Sequence, residues 1–480
     1  MTASEGSATG QGPTRVSSTR VSSTRGSSTG GSPTSRGVPA ALHSLEEARA
    51  SVLASIDGPT EAEQVATADA LWRVLAEPVT AATSLPPWDN SAMDGYAVRA
   101  IDIVGASDAT PVLLRVIGEV AAGATGTVAV EPGTAVRIAT GAPVPPGADA
   151  VVPVEATQAL DREGRPSGPR GRDATGPLPA GCLVHDAVPI GGSIRRAGSD
   201  VEAGTQVLPT GFVLGPQAIA LAAGIASATV RVHRLPRVGV LATGDEVHGS
   251  GEPLGPAGIP DANGPGLRAL VAASGGLAID LGIARDVLGD VEERLRRGLA
   301  AGVDALIVSG GVSVGPYDVV RAAFEAIGRI DLWRVAVQPG KPFAFGTAER
   351  PGGGAPVLLF GLPGNPVSSF VTFELFVRPA LRRLAGRRDV LRPVDRGVLG
   401  EHVSKSRGRR AFLRVVAERD AGGTERRDAQ GRVRVRLAGG QGSHVMSALA
   451  VADALAVVGE AHDTLDIGAD VELWWLDRDR

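Results

Sequence analysis

The spacing of hydrophobic residues changes several times along the chain, and each change predicts a different kind of structure. Apolar residues over 42–56 recur at helical spacing, which predicts a helix. A similar pattern over 66–76, after a Gly-Pro break, predicts that a helix continues there. From 84 to 182, short apolar runs alternate with Gly and Pro, which is typical of a small β-rich domain. Within it, the charged stretch 161–177 is expected to be a surface loop.

Over 236–385 the pattern changes again, and short apolar runs alternate with stretches of helical spacing. This alternation predicts a mostly parallel sheet with helices on both faces. Ligands of such sheets bind beyond the carboxyl ends of the strands, and here those ends carry Gly, Ser, Asp and Glu. Further on, Val433, Val435 and Leu437 alternate with arginines, which predicts a half-exposed strand in a C-terminal β domain.

These patterns together predict a multidomain α/β protein with a central, doubly wound, mostly parallel sheet. The expected parts are a disordered tail (1–40), a helical and extended N-terminal domain (41–83 and 183–235), an inserted β-rich domain (84–182), a central α/β domain (236–386) and a C-terminal β domain (387–480). The tail repeats Val-Ser-Ser-Thr-Arg and has too little apolar surface to offset the entropy of ordering. An RNA- or membrane-binding arm is the alternative interpretation of its arginines.

Composition narrows the possible function classes. Of the 480 residues, 43% are hydrophobic and 21% are charged, and the net charge of −4 gives no basic field for nucleic acid. The single cysteine, Cys182, excludes a disulfide framework and any cysteine-based zinc or iron–sulfur site. The longest uncharged apolar run, 218–230, is shorter than the roughly 20 residues that a membrane span needs. We therefore expect a cytoplasmic protein that binds neither nucleic acid nor a membrane.

Two segments are typical of anion binding. Gly361–Pro366 follows a predicted buried strand and precedes a helix, with Asn365 suited to the N-cap position. The free N–H groups at such a helix start attract an anion, although a capped turn alone also explains the pattern. Lys341 is one of only two lysines and lies between Gly340 and Pro342. Its ammonium can hold an oxyanion or phosphate, or it can be a solvated turn residue.

Carboxylates are also expected at the strand ends of the central domain. Asp245 and Glu246 follow its first strand, and Asp261 precedes the next helix. Carboxylates that face a phosphate usually hold Mg²⁺, although each of these residues is also common in turns and caps. Ser309–Gly315 follows another strand, and its glycines allow backbone N–H groups to approach a ligand closely.

Several common enzyme classes are disfavoured. The pattern Gly-x-Ser-x-Gly at 311–315 matches the nucleophile elbow of hydrolases, but Pro316 and the cap-like Asp318 start the helix too late for that motif. The chain contains neither Gly-x-Gly-x-x-Gly nor a Walker A lysine, and no two histidines are four positions apart. Nicotinamide chemistry, P-loop ATPase activity and a His-Glu-x-x-His zinc helix are therefore not expected.

Seven segments occur in the same order as in a known family. They are Asn90–Tyr96, Arg137–Gly147, Arg195–Gly204, Thr243–Glu246, Ser309–Gly315, Gly340–Phe345 and Gly361–Pro366. With these segments the chain resembles, over about 42–478, the molybdopterin molybdenumtransferase family, which includes the MoeA proteins and the E domain of gephyrin. Any one of the segments alone is typical of a turn, and the resemblance depends on their order.

The resemblance implies an elongated, four-domain homodimer whose central domain has a molybdopterin-binding fold. It implies that adenylylated molybdopterin and molybdate react to give molybdenum cofactor and AMP, with Mg²⁺ required. The protein partners that it implies are a molybdopterin adenylyltransferase and chaperones of molybdoenzymes. Because the first two domains of the family face the central domain of the other subunit, the site is expected to cross the dimer interface.

The resemblance also implies roles for individual residues. The implied catalytic residues are Asp94, Thr140, Asp200, Asp261, Asp318 and Lys341. The implied substrate contacts are Gly244, Asp245, Glu246, Ser309, Gly310, Gly311, Ser313, Gly364, Asn365, Arg409, Arg414 and Ser443. The implied metal ligands are Glu246, Asp261 and Asp318.

Two departures and two alternatives accompany this interpretation. Gln338 stands where the family often has Lys, and Pro316-Tyr317 replaces a frequently acidic or Lys-containing pair. One alternative is the adenylyltransferase step itself, although that reaction does not call for Asn90–Tyr96. The other is a dimeric scaffold such as the receptor-clustering role of gephyrin, which has no need of Asp261 or Lys341.

Overall fold

The computed structural model describes residues 42–124, 128–172, 176–311 and 319–476, without the side chains of Leu332 and Trp333. The predicted tail, together with Ser313 and Asp318, lies outside these residues. None of the helices within the described ranges is both long enough and apolar enough to cross a membrane.

The described part of the chain begins with the first stretch of the N-terminal domain. Its elements are α1 (Leu45–Ala54), β1 (Ala62–Ala66), β2 (Val79–Thr80) and β3 (Asn90–Ser91). The predicted first helix is confirmed as α1, and a reciprocal capping box between Ser44 and Glu47 fixes its start.

The β-rich domain follows as a single six-stranded sheet. Its strands are β4 (Gly95–Val98), β5 (Val112–Val120), β6 (Thr134–Ile138), β7 (Ala150–Pro153), β8 (Thr157–Leu160) and β9 (Gly181–Val184). They are ordered β7-β4-β6-β5-β9-β8 across the sheet. Gly and Pro residues between the strands form the turns that end them, so the domain is small.

The chain then returns to complete the N-terminal domain. The second stretch contains β10 (Ile194–Arg195), β11 (Gln206–Leu208), α2 (Pro216–Gly224) and β12 (Thr229–His233). The helix predicted over 66–76 is wrong. The preceding strand β1 pairs along its whole length with β12, and Trp72 has a left-handed φ of 63°, which an α-helix does not allow.

The central domain is the predicted doubly wound sheet. Its elements are β13 (Arg237–Thr243), β14 (Val247–His248), β15 (Ile259–Pro260), α3 (Asn263–Ala273), β16 (Leu277–Ala284), α4 (Leu288–Ala300), β17 (Ala305–Ser309), α5 (Val319–Ile327), β18 (Gly328–Arg334), β19 (Val337–Gln338), β20 (Pro342–Ala348), β21 (Val357–Leu362), α6 (Pro366–Thr372) and α7 (Arg378–Leu384). A wider helical turn, Phe373–Val377, joins α6 to α7.

The strand order of the central sheet is β16-β13-β17-β21-β20-β18. The first four strands run parallel, and β20 and β18 complete the sheet in antiparallel fashion. One apolar cluster packs α3 and α6 on one face of the sheet, and a second packs α4 and α5 on the other. Because both faces are covered, ligands can reach the sheet only from its edges and ends.

The C-terminal domain is a closed β-barrel. Its elements are β22 (Val394–Leu399), β23 (Val403–Ser404), β24 (Arg410–Ala417), β25 (Val433–Leu437), α8 (Met446–Ala450), β26 (Ala454–Val458), β27 (Thr464–Leu465) and β28 (Asp470–Trp475). The barrel closes because β26 pairs with both β28 and β24. The short strand β19 joins this barrel, whereas β20, which follows it directly, joins the central sheet.

Candidate active site

Three neighbouring parallel strands have their carboxyl ends side by side on the central sheet. β13 ends at Thr243, β17 at Ser309 and β21 at Leu362, and the N–H of Gly310 donates to the carbonyl of Leu362 at 3.1 Å. A Cβ atom on Gly310 would lie 2.5 Å from the carbonyl oxygen of Thr243, and the φ of Gly310 is 104°. Only glycine at position 310 therefore allows the ends of β13 and β17 to lie so close together.

A cavity of about 590 Å³ opens beyond these strand ends. Eight of the residues predicted from the sequence line it: Gly244, Glu246, Asp261, Ser309, Gly310, Gly311, Gly364 and Asn365. Asp245 lines an adjoining cavity of about 630 Å³ instead. The structure thus brings segments that are more than a hundred residues apart in sequence to one place, at the edge where parallel sheets bind ligands.

The side chains of Asn263 and Ser309 hold the walls of this cavity together. The amide nitrogen of Asn263 donates to the Ser309 hydroxyl at 2.9 Å and to the Gly364 carbonyl at 2.7 Å. The Ser309 hydroxyl in turn donates to the carbonyl of Pro363 at 3.2 Å and lies 3.3 Å from the hydroxyl of Ser369. Ser309 is buried, so its hydroxyl already serves the framework. Its neighbours Gly310 and Gly311 form the glycine-lined wall.

The carboxylate of Asp261 lies at the start of α3. One of its oxygens accepts the N–H of Gly264 at 2.8 Å, and a Cβ atom on Gly264 would come within 2.2 Å of the other oxygen. The sequence analysis missed Asp286, which lines the same cavity. Loss of hydration, together with the nearby charges of Asp245 and Glu246, raises the pKa of Asp286. Within the described residues, no cationic side chain forms an ion pair with Glu246 or Asp286, so this corner of the cavity carries uncompensated negative charge.

The predicted metal ligands are only partly assembled. Within the described ranges, no group of three or more His, Cys, Asp or Glu side chains is close enough to hold a metal ion. Glu246 and Asp261 line one cavity, and Asp318 lies in 312–318, outside the described residues. Mg²⁺ commonly binds through one or two carboxylates together with substrate phosphates and water. The carboxylates of this cavity, including Asp286, suit such a site by their chemistry.

The two predicted anion-binding segments contribute Gly364, Asn365 and Pro342 to the lining of the cavity. Asn365 is at the N-cap position of α6, as expected, with Pro366 in the first turn, but its side chain makes no capping hydrogen bond. Lys341 is exposed, and its neighbour Pro342 lines the cavity. Gly340 has a φ of 109°, and a Cβ atom there would lie 2.5 Å from the methyl group of Thr372. Glycine at 340 therefore allows the lysine loop to pack against α6.

The barrel contributes to the cavity through one loop. Arg414 is buried, and its guanidinium donates to the carbonyls of Gly440 and Gly442 at 3.1 Å each. The carbonyl of Ser443 accepts the N–H of Val367 at the start of α6, at 3.2 Å. His444 then lines the cavity. Arg414 holds this loop in shape and Ser443 joins it to α6. The sequence analysis missed His444, although it directly follows the predicted contact Ser443.

Other candidates lie away from the central cavity. One carboxylate oxygen of Asp94 accepts both the N–H and the hydroxyl of Thr140, at 2.7 and 2.8 Å, and these bonds lower the pKa of Asp94. Asp200 is exposed on the N-terminal domain, and the carbonyl of Arg409 accepts the ammonium of Lys405 at 2.7 Å. None of these four predicted residues, Asp94, Thr140, Asp200 and Arg409, lines the cavity described above.

Three family models match the chain in succession. Residues 43–226 match the MoeA N-terminal region (domain I and II), 239–383 match a probable molybdopterin binding domain, and 396–476 match the MoeA C-terminal region (domain IV). A curated relative from Mycobacterium tuberculosis, molybdopterin molybdenumtransferase 2, is 37% identical over 84% of this chain and 92% of its own length. The chain belongs to the molybdopterin molybdenumtransferase family.

Further relatives and a solved structure agree with this assignment. The molybdopterin molybdenumtransferase of Haemophilus influenzae is 33% identical over 90% of this chain and 98% of its own length. The molybdopterin biosynthesis MoeA protein from Pyrococcus horikosii superimposes with a TM-score of 0.71 at 29% identity, over 91% of this chain and 99% of that one. The multidomain architecture predicted from the sequence is confirmed.

The matched regions show which family domains contribute residues to the cavity. All of its lining residues except His444 fall within 239–383, the part that matches a probable molybdopterin binding domain. His444 comes from the part that matches the MoeA C-terminal region (domain IV). The cavity is thus built by two family domains of one chain, and the protein has a role in molybdenum cofactor biosynthesis as a transferase.

Proposed function

We propose that the protein inserts molybdate into adenylylated molybdopterin and releases AMP, as a Mg²⁺-dependent molybdopterin molybdenumtransferase. The observation that carries this proposal is the cavity at the carboxyl ends of β13, β17 and β21. It lies in the segment that matches a probable molybdopterin binding domain and combines glycine-lined backbone with unneutralised carboxylates. Relatives over most of the chain carry the name of this activity.

The phosphate groups of the substrate fit the glycine-lined wall. Gly310, Gly311 and Gly364 line the cavity without side chains, so a phosphate can approach the N–H groups of Gly311 and Gly364 closely, while the N–H of Gly310 donates to Leu362. Asn263 and Ser309 fix these segments relative to one another, so the donors are positioned before the substrate arrives. Preorganised donors need no rearrangement as charge develops on the phosphate oxygens.

Glu246 and Asp261 are the residues that would hold Mg²⁺, with Asp286 beside them. When bound, the ion supplies charge neutralisation on the phosphate oxygens and on the leaving AMP. The raised pKa of Asp286 supports this fit, because a carboxylate surrounded by like charges is stabilised in its charged form by a cation. Asp261 can face an ion and still cap α3, since one oxygen accepts the N–H of Gly264.

Molybdate is a dianion, and the segments at Lys341 and at the start of α6 offer it cationic and hydrogen-bond donors. Lys341 supplies an ammonium group, and the side chain of Asn365, which makes no capping hydrogen bond, supplies an amide donor at the start of α6. His444 adds a further donor from the barrel. We infer that these groups hold the oxyanion beside the pterin, while water cleaves the phosphoric anhydride and AMP departs.

We further propose that the enzyme is a cytoplasmic homodimer. The exposed pair Asp94 and Thr140 lies outside the cavity of its own chain, so a second copy is the simplest way to bring it to a central domain. Molybdopterin adenylyltransferase, which makes the substrate, and chaperones of molybdoenzymes, which receive the product, are the proposed partners. Sedimentation of the purified protein tests the dimer directly.

The decisive experiment measures AMP release from adenylylated molybdopterin in the presence of Mg²⁺ and molybdate. The wild type should release AMP, and Asp261→Asn should release it about 100-fold more slowly, because a metal-facing charge worth a few kcal/mol is lost. Asn still accepts a hydrogen bond from Gly264, so thermal unfolding should be nearly unchanged. Glu252→Gln, at an exposed carboxylate of the neighbouring cavity, is the matched control and should retain full activity.

The outcomes separate the alternatives. A wild type that consumes molybdopterin and ATP instead would be an adenylyltransferase, and one that binds molybdopterin without turnover would be a scaffold. Normal turnover by Asp261→Asn would contradict the role given to this carboxylate.

A further inference from the structure

The side chain of Asn263 joins the glycine-lined wall of the proposed active site to its carboxylates. Its amide nitrogen binds Ser309, which ends β17, and Gly364, which follows β21. Asp261 lies two positions earlier in the chain, so the Cα atoms of Asp261 and Asn263 are at most about 7 Å apart. Asn263 is therefore bonded to the wall that suits phosphate and stays close to a carboxylate that suits a cation.

The hydrogen bonds of Asn263 fix the orientation of its amide group. The backbone carbonyl of Gly364 can only accept, so the Asn263 atom at 2.7 Å from it is the nitrogen. The same nitrogen donates to the Ser309 hydroxyl at 2.9 Å, which uses its second hydrogen. The oxygen, Oδ1, is on the other side of the planar group, away from Ser309 and Gly364. What Asn263 has left for a ligand is thus an acceptor.

This oxygen is both unpaired and accessible. No residue in the described part of the chain donates a hydrogen bond to Oδ1 of Asn263. The side-chain oxygens there that lack a partner and are also cut off from solvent are those of Asn90 and Gln338. Oδ1 of Asn263 is not buried in that way, and its residue lines the cavity. Asn263 therefore presents a free carbonyl oxygen to the cavity.

Two carboxylates of the same cavity also lack a cationic partner among the described residues. Both oxygens of Glu246 fold over Gly244, at 2.8 and 2.9 Å from the position that a Cβ atom would occupy. One oxygen of Asp261 accepts the N–H of Gly264 at the start of α3, where a helix favours negative charge. Together with Asn263, these side chains line the cavity with oxygens that accept and do not donate.

We propose that Oδ1 of Asn263 is a neutral ligand of the divalent cation, beside Glu246 and Asp261. Mg²⁺ prefers oxygen ligands and completes its coordination with phosphate oxygens and water. The two carboxylates already balance the charge of the ion, and a neutral oxygen adds a ligand without adding negative charge next to the phosphate. This inference rests on the proposed function, because it extends the set of residues assigned to Mg²⁺ there.

The test uses Mn²⁺ as the probe, because it suits the same oxygen ligands as Mg²⁺ and its paramagnetic resonance reports binding without turnover. Titration of the full-length wild type, with and without AMP, should show bound Mn²⁺ that Mg²⁺ displaces. Asn263→Leu should bind Mn²⁺ about tenfold more weakly, the loss expected for one contact with a charged group.

Two further variants separate the oxygen of Asn263 from the framework role of its nitrogen. Ser309→Ala removes one hydrogen bond of the nitrogen and leaves Oδ1, so thermal unfolding should occur at a lower temperature while the Mn²⁺ affinity stays within about twofold of the wild type. Asn263→Asp keeps an oxygen ligand but cannot donate to Gly364, so it should bind Mn²⁺ at least as tightly as the wild type. This variant decides the question if Asn263→Leu does not fold. Glu252→Gln, in the adjoining cavity, is the matched control and should leave the Mn²⁺ affinity unchanged.

Three results would overturn the inference. They are equal Mn²⁺ affinities of Asn263→Leu and the wild type, weaker binding by Asn263→Asp than by the wild type, and no Mn²⁺ binding by the wild type with or without AMP. AMP release from adenylylated molybdopterin is measured separately on the same wild type. Release alongside any of these results would remove the role of Asn263 and keep the proposed function. The expected Mn²⁺ affinities without AMP release would remove the proposed function and keep Asn263 as a cation ligand.

Discussion

The two ends of strand β17 carry opposite kinds of polar cluster, although they are only about 17 Å apart. At the amino end, Asp304 accepts four hydrogen bonds: two from Arg234, one from Arg350 and one from the N–H of Arg237, at 2.7 to 3.0 Å. At the carboxyl end, Ser309 lines a cavity whose carboxylates form no ion pair with any residue in the described ranges. The carboxylate at the amino end has its partners within the protein, whereas the carboxylates at the carboxyl end are open to a ligand.

The pKa shifts at the two ends differ in direction. Burial alone would raise the pKa of Asp304, but the hydrogen bonds from Arg234 and Arg237 outweigh burial and lower it. The pKa of Asp286 is raised, because loss of hydration and neighbouring carboxylates act together. Charge that the protein itself compensates contributes to stability, whereas charge that it leaves uncompensated is available to a ligand.

The largest effect is expected at the compensated end. Asp304→Ala removes the shared partner of Arg234 and Arg350 and leaves two guanidinium groups without it. The free energy of unfolding should fall by about 3–5 kcal/mol, the usual cost of breaking a buried pair. Urea denaturation measures this loss. Glu61→Ala removes a 70% exposed carboxylate from the same Arg234 and should cost less than about 1 kcal/mol. Equal losses in the two variants would contradict the comparison.

A smaller effect is expected at the open end, and in function rather than stability. Lys341→Ala should raise the molybdate concentration for half-maximal AMP release about tenfold, because one charge-assisted contact is lost. Its free energy of unfolding should stay within about 0.5 kcal/mol of the wild type, because the side chain is exposed. If the molybdate dependence did not change, Lys341 would be a turn residue only.

The smallest effect is a difference in pH dependence between the two ends. The lowered pKa of Asp304 gives stability at neutral pH that is lost as the pH falls below the ordinary aspartate value of about 3.9. The raised pKa of Asp286 means that its ionisation opposes folding as the pH rises above that value. At neutral pH, Asp304→Asn should therefore be less stable than the wild type and Asp286→Asn slightly more stable. Urea denaturation over a pH series tests this, and parallel curves for both variants would contradict it.

Sequence patterns predicted the central domain well because its signals are local. The alternation of apolar runs and helical patterns over 236–385 predicted strands and helices such as β13, α5 and β21. The missed antiparallel strands β18 and β20 complete the sheet through pairing between distant residues. The wrong helix over 66–76 has the same origin, because β1 depends on β12, some 160 residues away.

The sequence predicted those residues of the cavity that are glycines or acidic residues directly after a strand or before a helix. Gly310 and Asp261 have recognisable local patterns, and both line the cavity. Asp286 and His444 reach it through tertiary packing, which spacing along the chain does not reveal. Arg414 resembled a ligand contact, yet its burial and its bonds to Gly440 and Gly442 make it a support for the loop.

The position of Lys341 between two sheets has a mechanical consequence. The strand before it, β19, belongs to the barrel, and the strand after it, β20, belongs to the central sheet. A rotation of one domain against the other therefore shifts the ammonium relative to the strand ends. On the proposed role of Lys341, oxyanion affinity and interdomain angle are then coupled, and by reciprocity a bound oxyanion favours one angle over the others.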